Sequence, residues 1–113
     1  MTVTTKPGTG NRDPYNTVPI IRFDGEIDLR TEPRFAARID EARQHEPRAI
    51  LIDLREVTFF GSAGIRLLAD LEHECSRHGR RLTVLPSPPV RKALRLVGML
   101  GRFELADRRA DVA

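Results

Sequence analysis

The stretch "AILIDL" (Ala49–Leu54) constrains this chain most, because it is apolar at almost every position rather than at every second one. A strand facing water on one side alternates apolar and polar residues, whereas a nearly unbroken run belongs to a strand covered on both faces, as in parallel sheets. The stretch "VTFFGSAGIRLL" follows. Its apolar beginning stops at Gly61, and Ser62 then opens a pattern of helical period. Gly64, Leu68, Leu71 and Cys75 stand four, three and four apart, widened by Ile65 and Leu67, and Gly79 is placed to end the helix near His78.

The remaining segments repeat this alternation. "VPIIRF" (Val18–Phe23) reads as a strand ended by the turn signal Asp24-Gly25. Thr31–Glu46 reads as a helix with Thr31 as N-cap, Pro33 in the first turn and Phe35, Ile39 and Ala42 on one buried stripe. "RLTVLP" (Arg81–Pro86) is the next strand. Pro88–Met99 is a third helix with Val90, Leu94 and Val97 inward and Gly98 near its end. "GRFEL" reads as a short last strand, and Ala106–Ala113 as an abbreviated helix. Strands alternating with helices over short connections imply an α/β fold with parallel pairing. At 113 residues the chain fits one domain, residues 17–113, preceded by a polar arm over 1–16 with a short edge strand near Thr2–Thr5.

Composition narrows the function classes. The net charge of +3 is carried mostly by arginines interleaved with acids, which is a weak footprint for nucleic acid. A single cysteine excludes an internal disulfide. No apolar run of signal-peptide or transmembrane length is present, so a cytoplasmic protein that does not insert into membranes is the expectation.

Functional groups in open α/β sheets gather at the carboxyl ends of strands. Ser62, the loop Asp24–Asp28 and Asp53 are expected to converge there. In the plainest reading Ser62 is a helix N-cap, its hydroxyl satisfying an otherwise unpaired N–H for about 1 kcal/mol. A hydrolase would need G-x-S-x-G, where this chain has Phe60 at the first glycine, and a histidine near the serine. His73 and His78 lie about 16 and about 24 Å along the very helix that Ser62 opens, so no enzyme is expected. The phosphate-binding motif G-x-x-x-x-G-K-[ST] is absent. A phosphorylation switch is the remaining reading, in which a phosphate on Ser62 would meet free N–H groups at the positive end of a helix dipole. Elsewhere, Cys75 on the apolar stripe reads as a core thiol rather than a zinc ligand with His78. Glu74 and His78 read as an exposed helix pair, and Arg77, Arg80 and Arg81 as complements to a helix dipole. Asp24, Asp28 and Asp53 lack the further ligands a magnesium ion needs, so neither metal nor cofactor is expected.

Three blocks in order, "FDGEIDLRTEP", "LIDLREVTFFGSAGIRLLADL" and "HGRRLTVLPSPPVRKALRLVGMLGRFEL", resemble the STAS domain family, and within it the bacterial anti-sigma factor antagonists. The resemblance spans roughly Val18 to Leu105. It implies a STAS-like sandwich: a mixed sheet of four to five strands with about three to four helices packed mainly on one side. It also implies that Ser62 is phosphorylated by an anti-sigma factor that is itself an ATP-dependent serine kinase, and that a phosphatase reverses this. The unphosphorylated protein would bind that kinase and free a sigma factor, acting as a monomer or weak dimer. Asp28 matches the family's acidic residue beside the serine, and Gly64 the glycine that follows it. Gly61 stands where the family usually has Asp. The expected partner surface comprises Asp24, Glu26, Asp28, Gly61, Ser62, Ala63, Gly64 and Arg66. The alternative is a constitutive adaptor of a transport or signalling complex, with Ser62 unphosphorylated.

Overall fold

A computed structural model of the chain describes residues 18–112. The elements run β1 (Ile20–Ile27), α1 (Glu32–Arg43), β2 (Ala49–Phe60), α2 (Ser62–Arg77), β3 (Arg81–Pro86), α3 (Pro88–Leu96) and β4 (Glu104–Leu105). Single 3-10 turns at Leu100–Arg102 and Arg109–Asp111 flank β4. The strands lie in the order β1-β2-β3-β4, and every neighbouring pair is parallel. Four strands and three α-helices are as expected. Among the described residues the sheet is wholly parallel rather than mixed, and the strand expected near Thr2–Thr5 lies outside them, as does the arm over 1–16.

Each crossover advances one strand in the same direction, and right-handed crossovers then place successive helices on one face. The burial pattern agrees. Phe35, Ile39 and Ala42 of α1, Leu68, Leu71 and Cys75 of α2, and Val90 and Leu94 of α3 share one cluster with Ile21, Phe23, Ile50, Ile52, Leu54, Leu82 and Val84. The strand residues between these, Leu51, Asp53, Thr83 and Leu85, are buried too but project the other way. That is why Ala49–Leu54 carries no alternation.

Two strands outrun the sequence expectation. Asp24-Gly25 does not end β1; the strand continues to Ile27 with register shifts on both sides of the pair, and Gly25 takes φ +79°. The turn signal has become a bulge, because β2 continues to Phe60 and keeps offering ladder partners. For the same reason β2 runs past Leu54 to Phe60, and Asp53 sits mid-strand between Arg22 and Leu85.

Helix ends also shift. The α1 helix stops at Arg43 rather than Glu46. At α3, Ser87 Oγ accepts the Val90 N–H at 3.4 Å, and the helix closes at Leu96 before Gly98 at φ +75°. Val97 is therefore turned out of the stripe and is 52% exposed, not inward. The expected terminal helix is reduced to the 3-10 turn Arg109–Asp111.

Candidate functional site

A register shift near the end of β2 sets up the site: Val57 pairs with Gly25, but the next partner, Glu26, faces Phe59. Val57 and Phe60 are buried, and Phe59, just past the shift, is exposed. Gly61 follows in extended conformation (φ −89°, ψ −173°). Its N–H donates to the Ile27 carbonyl at 2.9 Å, tying the ends of β1 and β2, and its own carbonyl accepts the Ile65 N–H at 3.1 Å. Gly61 is thus the N-cap of α2, and Ser62 is the first helical residue. This overturns the N-cap reading of Ser62: the cap position falls one residue earlier, on a glycine with no side chain to cap with. The Ser62 side chain is exposed and makes no hydrogen bond among the described residues. The N–H groups of Ser62, Ala63 and Gly64 likewise have no partner among them, and the first turn of α2 carries no acid.

The next two residues turn inward. Ala63 is buried, and Gly64 packs so closely that a Cβ there would lie 2.6 Å from the Phe60 ring and 2.8 Å from Ile27 Cγ2. Gly64 therefore allows the helix to touch the strand ends. What this pair presents outward is backbone.

A second network lies alongside. Asp28 Oδ1 accepts the N–H groups of Arg30 (2.9 Å) and Thr31 (3.1 Å), and the Asp28 carbonyl accepts that of Glu32 (2.9 Å). The Thr31 hydroxyl donates to the Glu26 carbonyl at 2.8 Å and accepts the Asp28 N–H at 3.0 Å. Thr31 holds the N-cap position but does not cap with its side chain; Asp28 supplies the carboxylate that starts α1. Desolvation pushes the Asp28 pKa up, but the Thr31 and Arg30 hydrogen bonds and the Arg30 charge together outweigh it and hold the carboxyl below its ordinary value. Arg30 pairs with Glu26 (3.0 Å) and Asp28 (3.3 Å), and Arg66 of α2 pairs with Glu32 of α1.

The structure thus gathers Glu26, Asp28, Gly61, Ser62 and Arg66 at one end of the sheet. Asp24 stands further down β1, level with Glu56. Asp53 is elsewhere. It is 2% exposed, and its carboxylate is held by Arg55 at 2.9 and 2.8 Å and by Arg109 at 3.3 Å. Burial raises its pKa, but the Arg55 hydrogen bonds and the charges of Arg55 and Arg109 win, leaving it lowered. Among the described residues no His, Cys, Asp and Glu group is placed to hold a metal. Cys75 is a core thiol, its pKa raised chiefly by burial. Glu74 bonds Arg43 at 2.6 Å instead of His78. Arg80 lies 3.9 Å from Glu74 and Arg81 pairs with Glu104, so these arginines do more than complement a dipole. The sequence reading missed Phe59 and Leu29, large apolar residues exposed beside Ser62 and Asp28. Parity gave no signal for Phe59, which shares it with the buried Val57 and is exposed past a register shift between them.

The STAS domain family model matches residues 11–112. The anti-sigma-F factor antagonist RsfB of Mycobacterium tuberculosis is 31% identical over 91 residues, covering 80% of this chain and 75% of its own. A crystal structure of an anti-sigma factor antagonist from Mycobacterium paratuberculosis superposes with a TM-score of 0.73 at 29% identity, over 81% of this chain and 79% of that one. The antagonist SpoIIAA is similar in its unphosphorylated form (TM-score 0.64, 26% identity, 79% and 80% covered). The Bacillus protein is also similar in its phosphorylated form (TM-score 0.59, 27% identity, 77% and 80% covered).

Proposed function

This chain belongs to the STAS domain family, and from that premise we propose that it is an anti-sigma factor antagonist switched by phosphorylation of Ser62. It binds an anti-sigma factor that is also a serine kinase, and this frees a sigma factor. The kinase transfers the γ-phosphoryl group of ATP to Ser62 Oγ; the new P–O bond forms as the bond to ADP breaks, and the hydroxyl proton leaves to a base on the kinase. A phosphatase reverses the modification.

The observation that carries this reading is Ser62 as the first residue of α2, exposed and without a side-chain hydrogen bond among the described residues. A phosphate placed there meets the unpartnered N–H groups of the first turn, so the fold accommodates about two negative charges. A partner packed over the same point would have to desolvate those charges, and it leaves. Supporting surface comes from Asp24, Glu26, Asp28 and Arg66, with backbone from Gly61, Ala63 and Gly64. The relatives are named as regulators, which accords with a binding rather than a catalytic role. No helix among the described residues is long and apolar enough to cross a membrane. We place the domain at residues 17–113 behind an arm at 1–16, in the cytoplasm, as a monomer or weak dimer that does not act on nucleic acid.

The test is capture from native lysate with Ser62→Ala and Ser62→Asp, both shown to be folded by circular dichroism. Retention of a serine kinase by the alanine variant and its release by the aspartate variant is the expected result. Equal retention by both would replace the switch with a constitutive adaptor.

A further inference from the structure

The surface around Ser62 contains more acid and base than it presents to a partner. Arg30 is engaged by Glu26 and Asp28, and Arg66 by Glu32, so these charges largely neutralise one another within the chain. The groups left over are apolar. Leu29, between Asp28 and Arg30 in the chain, is 77% exposed, and Phe59, near the end of β2, is 51% exposed. Gly61 connects Phe59 to the serine. Its backbone is extended and demands no glycine, yet a Cβ there would lie 3.0 Å from the Phe59 ring edge, so the ring lies over the space a side chain would fill.

We propose that Phe59 and Leu29 are the apolar grip by which the serine kinase holds this protein, and that Gly61 is kept bare so that the Phe59 ring can lie beside Ser62. The inference rests on the phosphorylation reading above and says what the partner must look like. A kinase that reaches Ser62 Oγ has to cover the residue before it, and covering Gly61 means covering the ring that touches it. Because the neighbouring charges are already paired, a matching partner carries an aliphatic or aromatic side chain opposite Phe59 and Leu29. It has no cation reserved for a carboxylate at position 61. Large, exposed and rigid, Phe59 is the type of residue that anchors interfaces once water is excluded around it.

Among the described residues the remaining large exposed apolar pair, Leu96 (74%) and Val97 (52%), lies at the far end of α3 and serves as an internal control. The experiment uses the full chain and each anti-sigma factor serine kinase of the source organism, purified separately, measuring affinity and phosphate incorporation from ATP. Leu29→Ser and Phe59→Ser are expected to weaken binding by about tenfold or more, while Leu96→Ser binds as the unsubstituted protein does. Leu29→Ser separates binding from folding, since so exposed a residue contributes little to the core. Gly61→Ala and Gly61→Asp both displace the ring and are expected to weaken binding together. Unchanged affinity in Leu29→Ser and Phe59→Ser, or tighter binding by Gly61→Asp, overturns the grip and leaves the switch standing. A dimer of the unsubstituted protein that Leu29→Ser dissolves overturns it as well, by assigning the patch to a second copy. If no kinase binds or phosphorylates the unsubstituted chain, the switch and the grip fall together.

Discussion

Asp53 and Ser62 are two polar residues of one β2–α2 unit, and the chain treats them in opposite ways. Asp53 is buried mid-strand, and its carboxylate is shared between two arginines, one of them distant in sequence. Ser62, just past the end of the strand, is exposed, and its hydroxyl is bound to nothing described. A buried charge must be paired within the chain or it is too costly to keep. A group left unpaired at the surface remains available for chemistry. Satisfied polar groups thus mark architecture, and the unsatisfied hydroxyl is the one the proposed switch would use.

The contrast is broken most directly at Asp53. Asp53→Ala is expected to cost about 3 kcal/mol, combining lost charged hydrogen bonds with a small cavity. Chemical denaturation measures this, and a cost below about 1 kcal/mol would remove Asp53 from the architecture. Gly64→Ala is next, at about 2 kcal/mol, because the new methyl group meets the buried Phe60 and Ile27. This variant sharpens the comparison: the backbone beneath Ser62 should be as unforgiving as the interior, although the hydroxyl above it is not.

A third expectation concerns acid. With its pKa below the ordinary 3.8, Asp53 stabilises the fold fully above that value, and the contribution fades as pH falls through the folded-state pKa. The stability gap between the unsubstituted protein and Asp53→Asn should accordingly narrow below about pH 4. A gap that stays constant down to pH 2 would mean that the carboxylate charge is not what Arg55 and Arg109 hold. The smallest effect is Ser62→Ala, expected to change stability by less than about 0.5 kcal/mol. A loss near 1 kcal/mol would restore the capping role that the geometry removes.

These contrasts were unevenly legible in the sequence. The cores of β2 and α2 could be read from periodicity, since Ile50, Ile52 and Leu54 and the stripe Leu68, Leu71, Cys75 are buried because of their spacing. Strand extent could not be read this way. Asp24-Gly25 carries a turn signal, but whether it turns or bulges depends on the length of the neighbouring strand. Nor does local sequence reveal that Asp53 is claimed by Arg109, 56 residues away. At Ser62 the pattern located the helix start to within one residue, but capping differs between adjacent positions. That one-residue shift separates a structural hydroxyl from a free one. Phe59 was not readable from strand parity, because the register shifts between Val57 and Phe59, and nothing local marked Leu29 as exposed.

The fit of Gly64 against Phe60 and Ile27 determines how any message from Ser62 can travel. With no slack between the helix and the strands beneath it, the first turn of α2 cannot act as a lever that tilts and relays a mark inward. On the proposed reading the domain would behave instead as a stamp, with a fixed face and a change of ink at one atom. Whatever reads it must do so by touch.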